Sequence, residues 1–244
     1  MMLGQAIDYI LDGTNWSGPG GLSEQLTQQV LLTVVSLAAC LLIGVPLALW
    51  AGHTGRGGTL AINVSNIGRA VPVFAVLTIL SVGPVGSDVL GPFGRAGLAT
   101  LLSLVLFGLP PIITNAYVGM REVDRDMIEA ARGMGMTEWR LFRRVELPNA
   151  LPVVMTGVRI ALIQIWATAT IAALVAGPGL GNTITDGFAN SRYHEVVAGS
   201  IMVAGAALIL EGIAVVLERA VDPMRRARRR RAGTSTATPS VTTS

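Results

Sequence analysis

The chain of 244 residues contains no lysine, so all 18 of its basic residues are arginines. A phosphate-binding Walker A loop requires a lysine near its end to reach the phosphates of a nucleotide. The missing lysine therefore excludes such a loop from this chain. If ATP drives the process in which the protein takes part, another subunit binds the nucleotide, and we expect no cofactor on this chain itself.

Cysteine and histidine are also scarce. Cys40 is the single cysteine and lies inside an apolar run, which excludes an intrachain disulfide and a cysteine-based metal cluster. We expect Cys40 to be a small packing residue. The two histidines, His53 and His194, fall on opposite sides of the membrane in the topology given below, so we expect no shared metal site.

Charged residues make up only 14% of the chain and hydrophobic residues 51%, with a mean hydropathy of +0.59. This composition fits neither a typical soluble protein nor a disordered one. Instead, five apolar stretches have about the 20 residues that a helix needs to cross a membrane. We therefore predict an all-α integral membrane protein with about five transmembrane helices, at Gln29–Ala51, Leu60–Val82, Leu98–Val118, Leu151–Ala176 and Val196–Leu217.

The distribution of arginine indicates the orientation of the chain. Residues 121–144 contain six arginines and residues 219–231 contain seven, whereas residues 83–97 and 177–195 contain one each. Loops rich in arginine stay on the cytoplasmic side of a membrane. We therefore predict a cytoplasmic loop at residues 119–150 and a cytoplasmic C-terminus.

The two ends of the chain flank the predicted transmembrane domain, residues 29–223. With five spans, residues 1–28 lie outside the cell, and we expect them to remain in the mature protein because they lack the basic start of a signal peptide. In the tail, residues 224–244, the run Arg225–Arg231 directly follows an apolar span and has no interleaved aromatic residues. This pattern favours contact with anionic lipid over nucleic acid, and we expect the Thr- and Ser-rich end to be disordered.

The polar loop predicts a short helix followed by a sharp bend. Asp126 and Glu129 are three residues apart and approximate a capping box, which places a helix from Met127 to about Met134. Gly133 and Gly135 then interrupt the helix, with Gly135 as a left-handed cap.

A second short helix is expected after the bend. Thr137 is placed to cap it, and Leu147 with Pro148 is expected to end it. The predicted loop thus consists of two short helices that project from the membrane. Ala130 and Ala131 would offer a small-residue face to a partner, and Glu129 would offer one charge.

One stretch of the loop has a recognisable spacing. Glu129-Ala130-Ala131 is followed by three residues and Gly135, and after nine more residues by Val145-Glu146-Leu147-Pro148. This stretch resembles the EAA signature of the membrane-embedded permease subunits of ABC importers, with Val for Ile as the one substitution. The resemblance implies a type I ABC importer permease fold and a loop containing the coupling helix that docks into a groove of the ATPase. The implied coupling residues are Glu129, Ala130, Ala131, Gly133, Gly135, Leu147 and Pro148.

Three further segments look like permeases of the osmoprotectant class, which import glycine betaine, carnitine, choline or proline betaine. They are Leu109–Asp124, Val145–Ile160 and Gly179–Gly187. The last segment is preceded by Pro178, at a position where the class usually has glycine. The resemblance covers about Gln29 to Pro223. It implies a non-enzymatic subunit in a bacterial cell membrane. The implied partners are ABC ATPase subunits, a second permease subunit, identical or homologous, and an extracytoplasmic substrate-binding protein.

Polar residues within the apolar stretches are candidates for the translocation path. Gln164 and Thr168 are four residues apart and share a helix face, where they line the path or bond between helices. Arg69, close to the kink expected at Pro72, borders a gate, meets a substrate carboxylate or reaches back to the cytoplasm. Glu211 is expected to be paired or to reach the membrane surface. The candidate path residues are Arg69, Pro72, Asn115, Gln164, Trp166 and Thr168.

Three other functions remain open alternatives. A permease for another small solute, such as an amino acid, methionine or a sulfonate, would carry the same loop. An ion-coupled secondary transporter is disfavoured because the sequence has no internal repeat and no acidic residue in the middle of a span. A membrane enzyme finds no support, because the sequence shows neither a nucleophile–base pair nor a metal cluster.

Overall fold

The computed structural model describes residues 2–57, 63, 70–86, 93–94 and 96–221, and every regular element within them is helical. A π-helical turn, Phe142–Glu146, joins the short helix Glu138–Leu141 to the long helix Leu147–Ile171, which the 3-10 turn Ala172–Val175 extends. The predicted all-α class is therefore confirmed. The helices are α1 Met2–Leu11, α2 Leu22–Thr54, α3 Val73–Val82, α4 Gly97–Arg121, α5 Arg125–Gly133, α6 Glu138–Leu141, α7 Leu147–Ile171, α8 Gly181–Ala189 and α9 Tyr193–Val221.

Four helical stretches are long and apolar enough to cross a membrane: α2, α4, the stretch Glu138–Val175 and the stretch Tyr193–Ala220. They correspond to four of the five predicted spans. The remaining predicted span, Leu60–Val82, is represented by α3, which has ten residues and begins directly after Pro72. Arg69 and most of the preceding half of this span lie outside the described residues, so the count of five spans stays a prediction.

The core lies where α2, α4 and α7 pack together. Cys40 is buried there with apolar residues of all three helices, such as Leu104 and Ile165, and its thiol lies 3.4 Å from the carbonyl oxygen of Val105. Gly108 allows the close approach of the helices, since a Cβ atom at this position would lie 2.8 Å from the Cys40 sulfur. The predicted packing role of Cys40 is therefore confirmed.

The length of α2 separates two ends of the bundle by about 50 Å. At its N-terminal end, Gln25 and Gln29 bind the segment at residues 180–183. At its C-terminal end, His53 contacts Glu146. The loop at residues 119–150 therefore lies at the opposite end of α2 from the segment before α9, as predicted.

Helix α9 is the least covered of the long helices. Its most apolar window has no buried residue, and Leu208, Ile209 and Val216 are exposed. Leu42 of α2 is exposed as well. Because exposed apolar surfaces of this extent occur where a protein meets a membrane or another subunit, the outside of the bundle is suited to both.

Candidate functional site

Helix α5 begins two residues earlier than the sequence predicts. The Asp124 carboxylate accepts a hydrogen bond from the backbone N–H of Asp126, at 2.9 Å, so Asp124 is the N-cap. The prediction of a capping box that starts at Asp126 is wrong, because Asp124 is already placed to bind the free N–H groups of the first turn. Asp126 lies inside that turn, where its negative charge interacts favourably with the helix dipole.

The bend after α5 has the geometry that the sequence predicts. Gly135 has a φ of +79°, in the left-handed region. Its N–H donates to the carbonyl of Arg132, and the N–H of Met136 donates to the carbonyl of Ala131. These two bonds form a Schellman motif, which satisfies carbonyls at the end of the helix and reverses the chain.

The second helix of the loop is continuous with a membrane span, which corrects the prediction that Leu147 and Pro148 end it. Between α6 and α7 the chain forms a π turn, in which the N–H of Leu147 bonds to the carbonyl of Phe142. Such a widened turn leaves room for a proline ring that would clash in a regular helix. Thr137 occupies the N-cap position of α6, but its side chain makes no capping hydrogen bond.

Only part of the predicted small-residue face of α5 is available to a partner. Glu129 and Ala130 are exposed, whereas Ala131 is 2% exposed and packs against its own chain. Met127 and Met134 are exposed on the side of Ala130, because residues three, four and seven positions apart share a helix face. Sequence reasoning missed the two methionines, although this spacing could have indicated them.

A buried acid joins the loop to α2. Glu146 is 4% exposed, and its Oε2 atom lies 2.5 Å from Nδ1 of His53. Glu138 approaches the other ring nitrogen of His53, at 3.8 Å. The ring of His53 also packs edge-on against Phe142, with 5.5 Å between ring centroids. The sequence analysis assigned no role to Glu146, the variable residue before Leu147 in the signature.

An ion pair fixes α5 to α6 across the bend. The Arg132 guanidinium donates two hydrogen bonds to the Glu138 carboxylate, at 3.1 and 3.2 Å. This contact raises the pKa of Arg132. Both side chains are more than half exposed, so the pair orients the two helices more than it stabilises the fold.

The candidate path residues do not form a single cluster. Gln164 lines a cleft of about 830 Å³ between α7 and α9. Thr168 and Trp166 are buried, and the indole N–H of Trp166 donates to the carbonyl of Val203. Asn115 donates to the carbonyl of Pro111 in its own helix, at 2.7 Å. Of these four residues, Gln164 is the one that lines this cleft.

Charged side chains also line the cleft, and the sequence analysis singled out only one of them, Glu211. Nε of Arg159 donates to Glu211, at 2.5 Å, and Nη1 of Arg159 lies 3.5 Å from Glu218. Glu211 is thus paired, which was one of the two predicted arrangements. Sequence reasoning missed Arg159, although a lone arginine in one span and a lone glutamate in another suggest a partner for each.

Two glutamines of α2 hold the glycine-rich segment that precedes α9. Gln29 is fully buried, accepts a hydrogen bond from the N–H of Leu180 at 2.9 Å and donates to the hydroxyl of Thr170. Gln25 accepts from the N–H and the hydroxyl of Thr183. These hydrogen bonds hold the backbone of the segment Gly179–Gly187 at Leu180 and Thr183. The sequence analysis identified this segment only by resemblance.

Comparison with known proteins connects this arrangement to a family. Residues 44–226 match the family described as the binding-protein-dependent transport system inner membrane component. The chain belongs to this family. The matched range contains the loop with α5, the cleft and the glycine-rich segment, so each of them lies within the part that defines the family. The permease is therefore a multi-pass membrane component of a transport system.

Curated relatives match the permease over most of their length. It is 30% identical over 203 residues to the carnitine transport permease protein OpuCB of Listeria monocytogenes, covering 83% of this chain and 88% of the relative. It is 31% identical over 216 residues to the glycine betaine/carnitine/choline transport system permease protein OpuCD of Bacillus subtilis, covering 88% and 90%.

Solved structures show the same fold at lower identity. A chain of the MetNI methionine ABC transporter, in an inward-facing conformation, superposes with a TM-score of 0.68 at 22% identity, covering 82% of this chain and 95% of the other. A chain of an amino acid ABC transporter gives a TM-score of 0.63. The permease therefore has the fold of type I ABC importer permeases.

Proposed function

We propose that the protein is the permease subunit of an ATP-driven importer of osmoprotectants, with glycine betaine, carnitine, choline and proline betaine as substrates. The observation that carries the transport role is α5 itself, a short exposed helix that ends in the Gly135 turn and lies at one end of the bundle. The substrate class is supported by the names of the relatives and by the Leu109–Asp124, Val145–Ile160 and Gly179–Gly187 segments.

In this proposal α5 docks on the ATPase and passes its motion to the spans. Arg132 and Glu138 make α5 and α6 move together. Because α6 continues into α7, and His53 holds Glu146 at that junction, a displacement of α5 moves α7 and the end of α2 as one unit. Closure of the ATPase pair on ATP would then open the spans outward to receive substrate.

The proposed assembly contains two permease subunits, identical or homologous, two ABC ATPase subunits and an extracytoplasmic substrate-binding protein. The second permease is needed because one bundle of this size encloses no complete path, and the exposed faces of α2 and α9 are suited to a subunit or to lipid. The arginine-rich end with α5 lies in the cytoplasm and the N-terminus outside the cell. The whole assembly lies in the cell membrane of a bacterium.

Uptake by vesicles that contain the whole complex tests the proposal. We expect ATP-dependent accumulation of labelled glycine betaine, carnitine or choline, and none when the ATPase is supplied with a non-hydrolysable ATP analogue. Transport of methionine or a sulfonate without a response to quaternary amines would refute the substrate class but leave the permease role intact. Uptake that continues without the ATPase would instead favour an ion-coupled secondary transporter.

A further inference from the structure

The cleft between α7 and α9 combines a sizeable open volume, apolar walls and charged side chains. It has a volume of about 830 Å³, and its walls are mostly apolar, with Ile160, Ile163 and Leu208 among them. Arg159 and Glu211 line the same cleft. Binding sites for small molecules have volumes of about 300–1,000 Å³ and combine apolar walls with a few placed polar groups, so both the size and the lining are those of a site.

The charges are costly where they lie, so they need an explanation. Ionisable residues within membrane spans are rare; they pair with one another or face a water-filled cavity, and they mark substrate paths. Arg159 contacts Glu211 and also lies close to Glu218, so one basic side chain has two acidic neighbours. A ligand that takes the place of Glu211 beside Arg159 would therefore leave the arginine next to one acid, Glu218.

We propose that this cleft is a transient binding site for a zwitterionic quaternary amine during translocation. Arg159 binds the substrate carboxylate, and Glu211 faces the quaternary ammonium group. This assignment rests on the proposed function. It explains why charges of both signs occur together, because a zwitterion offers Arg159 a carboxylate and Glu211 a cation in exchange for their contact with each other, and it leaves the net charge of the cleft unchanged.

The apolar walls suit the rest of such a substrate. A quaternary ammonium group has no N–H to donate, so its methyl groups gain van der Waals contact from apolar walls, and its charge is attracted by a nearby acid. Ile160, Ile163 and Leu208 supply that contact, and Gln164 adds an amide within the same cleft. A purely cationic substrate such as choline would need the acidic side chains but not Arg159.

This difference between substrates gives the test. Vesicles with the whole complex are supplied with carnitine or choline, and initial rates of uptake are measured for the wild type and for Arg159→Gln. Loss of a charge-assisted hydrogen bond to a carboxylate should lower the carnitine-to-choline rate ratio by about tenfold. Glu211→Gln should lower both rates to a similar extent. The binding protein is the same throughout, so its own preference cancels when ratios are compared with the wild type.

Two further variants separate substrate binding from a structural role. Arg159→Lys retains the charge and should restore part of the ratio. Arg192 forms an ion pair with Glu195, at 2.7 Å, outside the cleft. Arg192→Gln breaks this pair and should leave the carnitine-to-choline ratio unchanged.

The outcomes distinguish this site from the proposed function. Equal loss of both rates in Arg159→Gln, or an unchanged ratio, would overturn the site. Failure of that variant to co-purify with the second permease subunit would assign the pair to assembly and overturn it too. In both cases wild-type uptake of quaternary amines would still support the function. If wild-type vesicles imported neither carnitine nor choline, the proposed function would be refuted, and so would this site, which rests on it.

Discussion

At the scale of single residues, the contact between His53 and Glu146 is the most informative. The carboxylate of Glu146 is almost fully buried, and a buried acid without a partner is costly. Its partner comes from α2, which is far away in the sequence. The pair therefore has both a stabilising role, because it satisfies Glu146, and a connecting role, because it joins α2 to the junction of α6 and α7.

Replacing His53 by leucine is expected to affect both roles. The loss of its partner leaves Glu146 buried, which should lower the stability of the solubilised complex by about 1–3 kcal/mol. It should also lower the amount of substrate moved per ATP hydrolysed, because α2 no longer follows the loop. Thermal denaturation and paired measurements of uptake and ATP hydrolysis check these two effects.

His194→Leu is the matched control, since this histidine lies at the other end of the bundle and packs against Tyr9. It should leave the ratio of transport to hydrolysis unchanged. Equal ratios in His53→Leu and the wild type would show that the contact with Glu146 has no part in coupling.

At the scale of elements, α5 depends on the backbone conformation of the turn that follows it. Gly133 and Gly135 are two residues apart, and a Cβ atom at either would meet no atom within 4 Å. They differ in conformation, because only Gly135 has a positive φ. The two glycines thus separate the effect of backbone strain from the effect of an added side chain.

Gly135→Val is expected to strain the turn by about 1–3 kcal/mol, to tilt α5 and to abolish transport and substrate-stimulated ATP hydrolysis. Gly133→Val, at the last residue of the helix, should retain most of both activities. Uptake and hydrolysis assays on the assembled complexes check this difference.

Glu129→Lys tests the charge of the same helix. It should also abolish transport and substrate-stimulated ATP hydrolysis, because it reverses the charge that α5 offers to the ATPase.

Normal insertion and assembly are the control for the Gly135 and Glu129 variants, since neither substitution alters a span. If Gly135→Val and Glu129→Lys both assembled and transported at the unmodified rate, α5 would not be the coupling helix.

At the scale of the whole molecule, the structure places α1 at the end opposite to the loop. The arginine-rich loop at residues 119–150 lies at one end, and α1 lies at the other, with Tyr9 against His194. Because positively charged loops stay in the cytoplasm, this arrangement predicts that the end with α1 faces outward.

Labelling of single cysteines checks this orientation. In a Cys40→Ala background, a cysteine at Ser17 should react with an impermeant thiol reagent added to intact cells, and one at Thr137 should not react until the cells are opened. Both positions are exposed in the structure, so access to the reagent depends on the side of the membrane. The reverse pattern would overturn the N-terminus-outside topology.

The sequence alone was sufficient for features that depend on neighbouring residues. Apolar runs of about 20 residues indicate spans because the bilayer requires this length, and four of the five predicted spans correspond to long helices. The Gly135 turn was also predictable, since only local backbone conformation decides it. The predicted ends of the helices were less accurate. The start of α5 was misplaced because Asp124 and Asp126 are both acids that could cap it. The second helix of the loop continued past Pro148 because a π turn accommodates the proline.

Only the tertiary structure decided which polar side chains meet. Leu180 binds Gln29 across 151 positions of sequence, Glu146 binds His53 across 93, and Glu211 binds Arg159 across 52. Periodicity places a residue on a helix face, but it does not say which other helix covers that face. For this reason Gln164 and Thr168, which the sequence placed together, differ in the folded chain, where one lines the cleft and the other is buried.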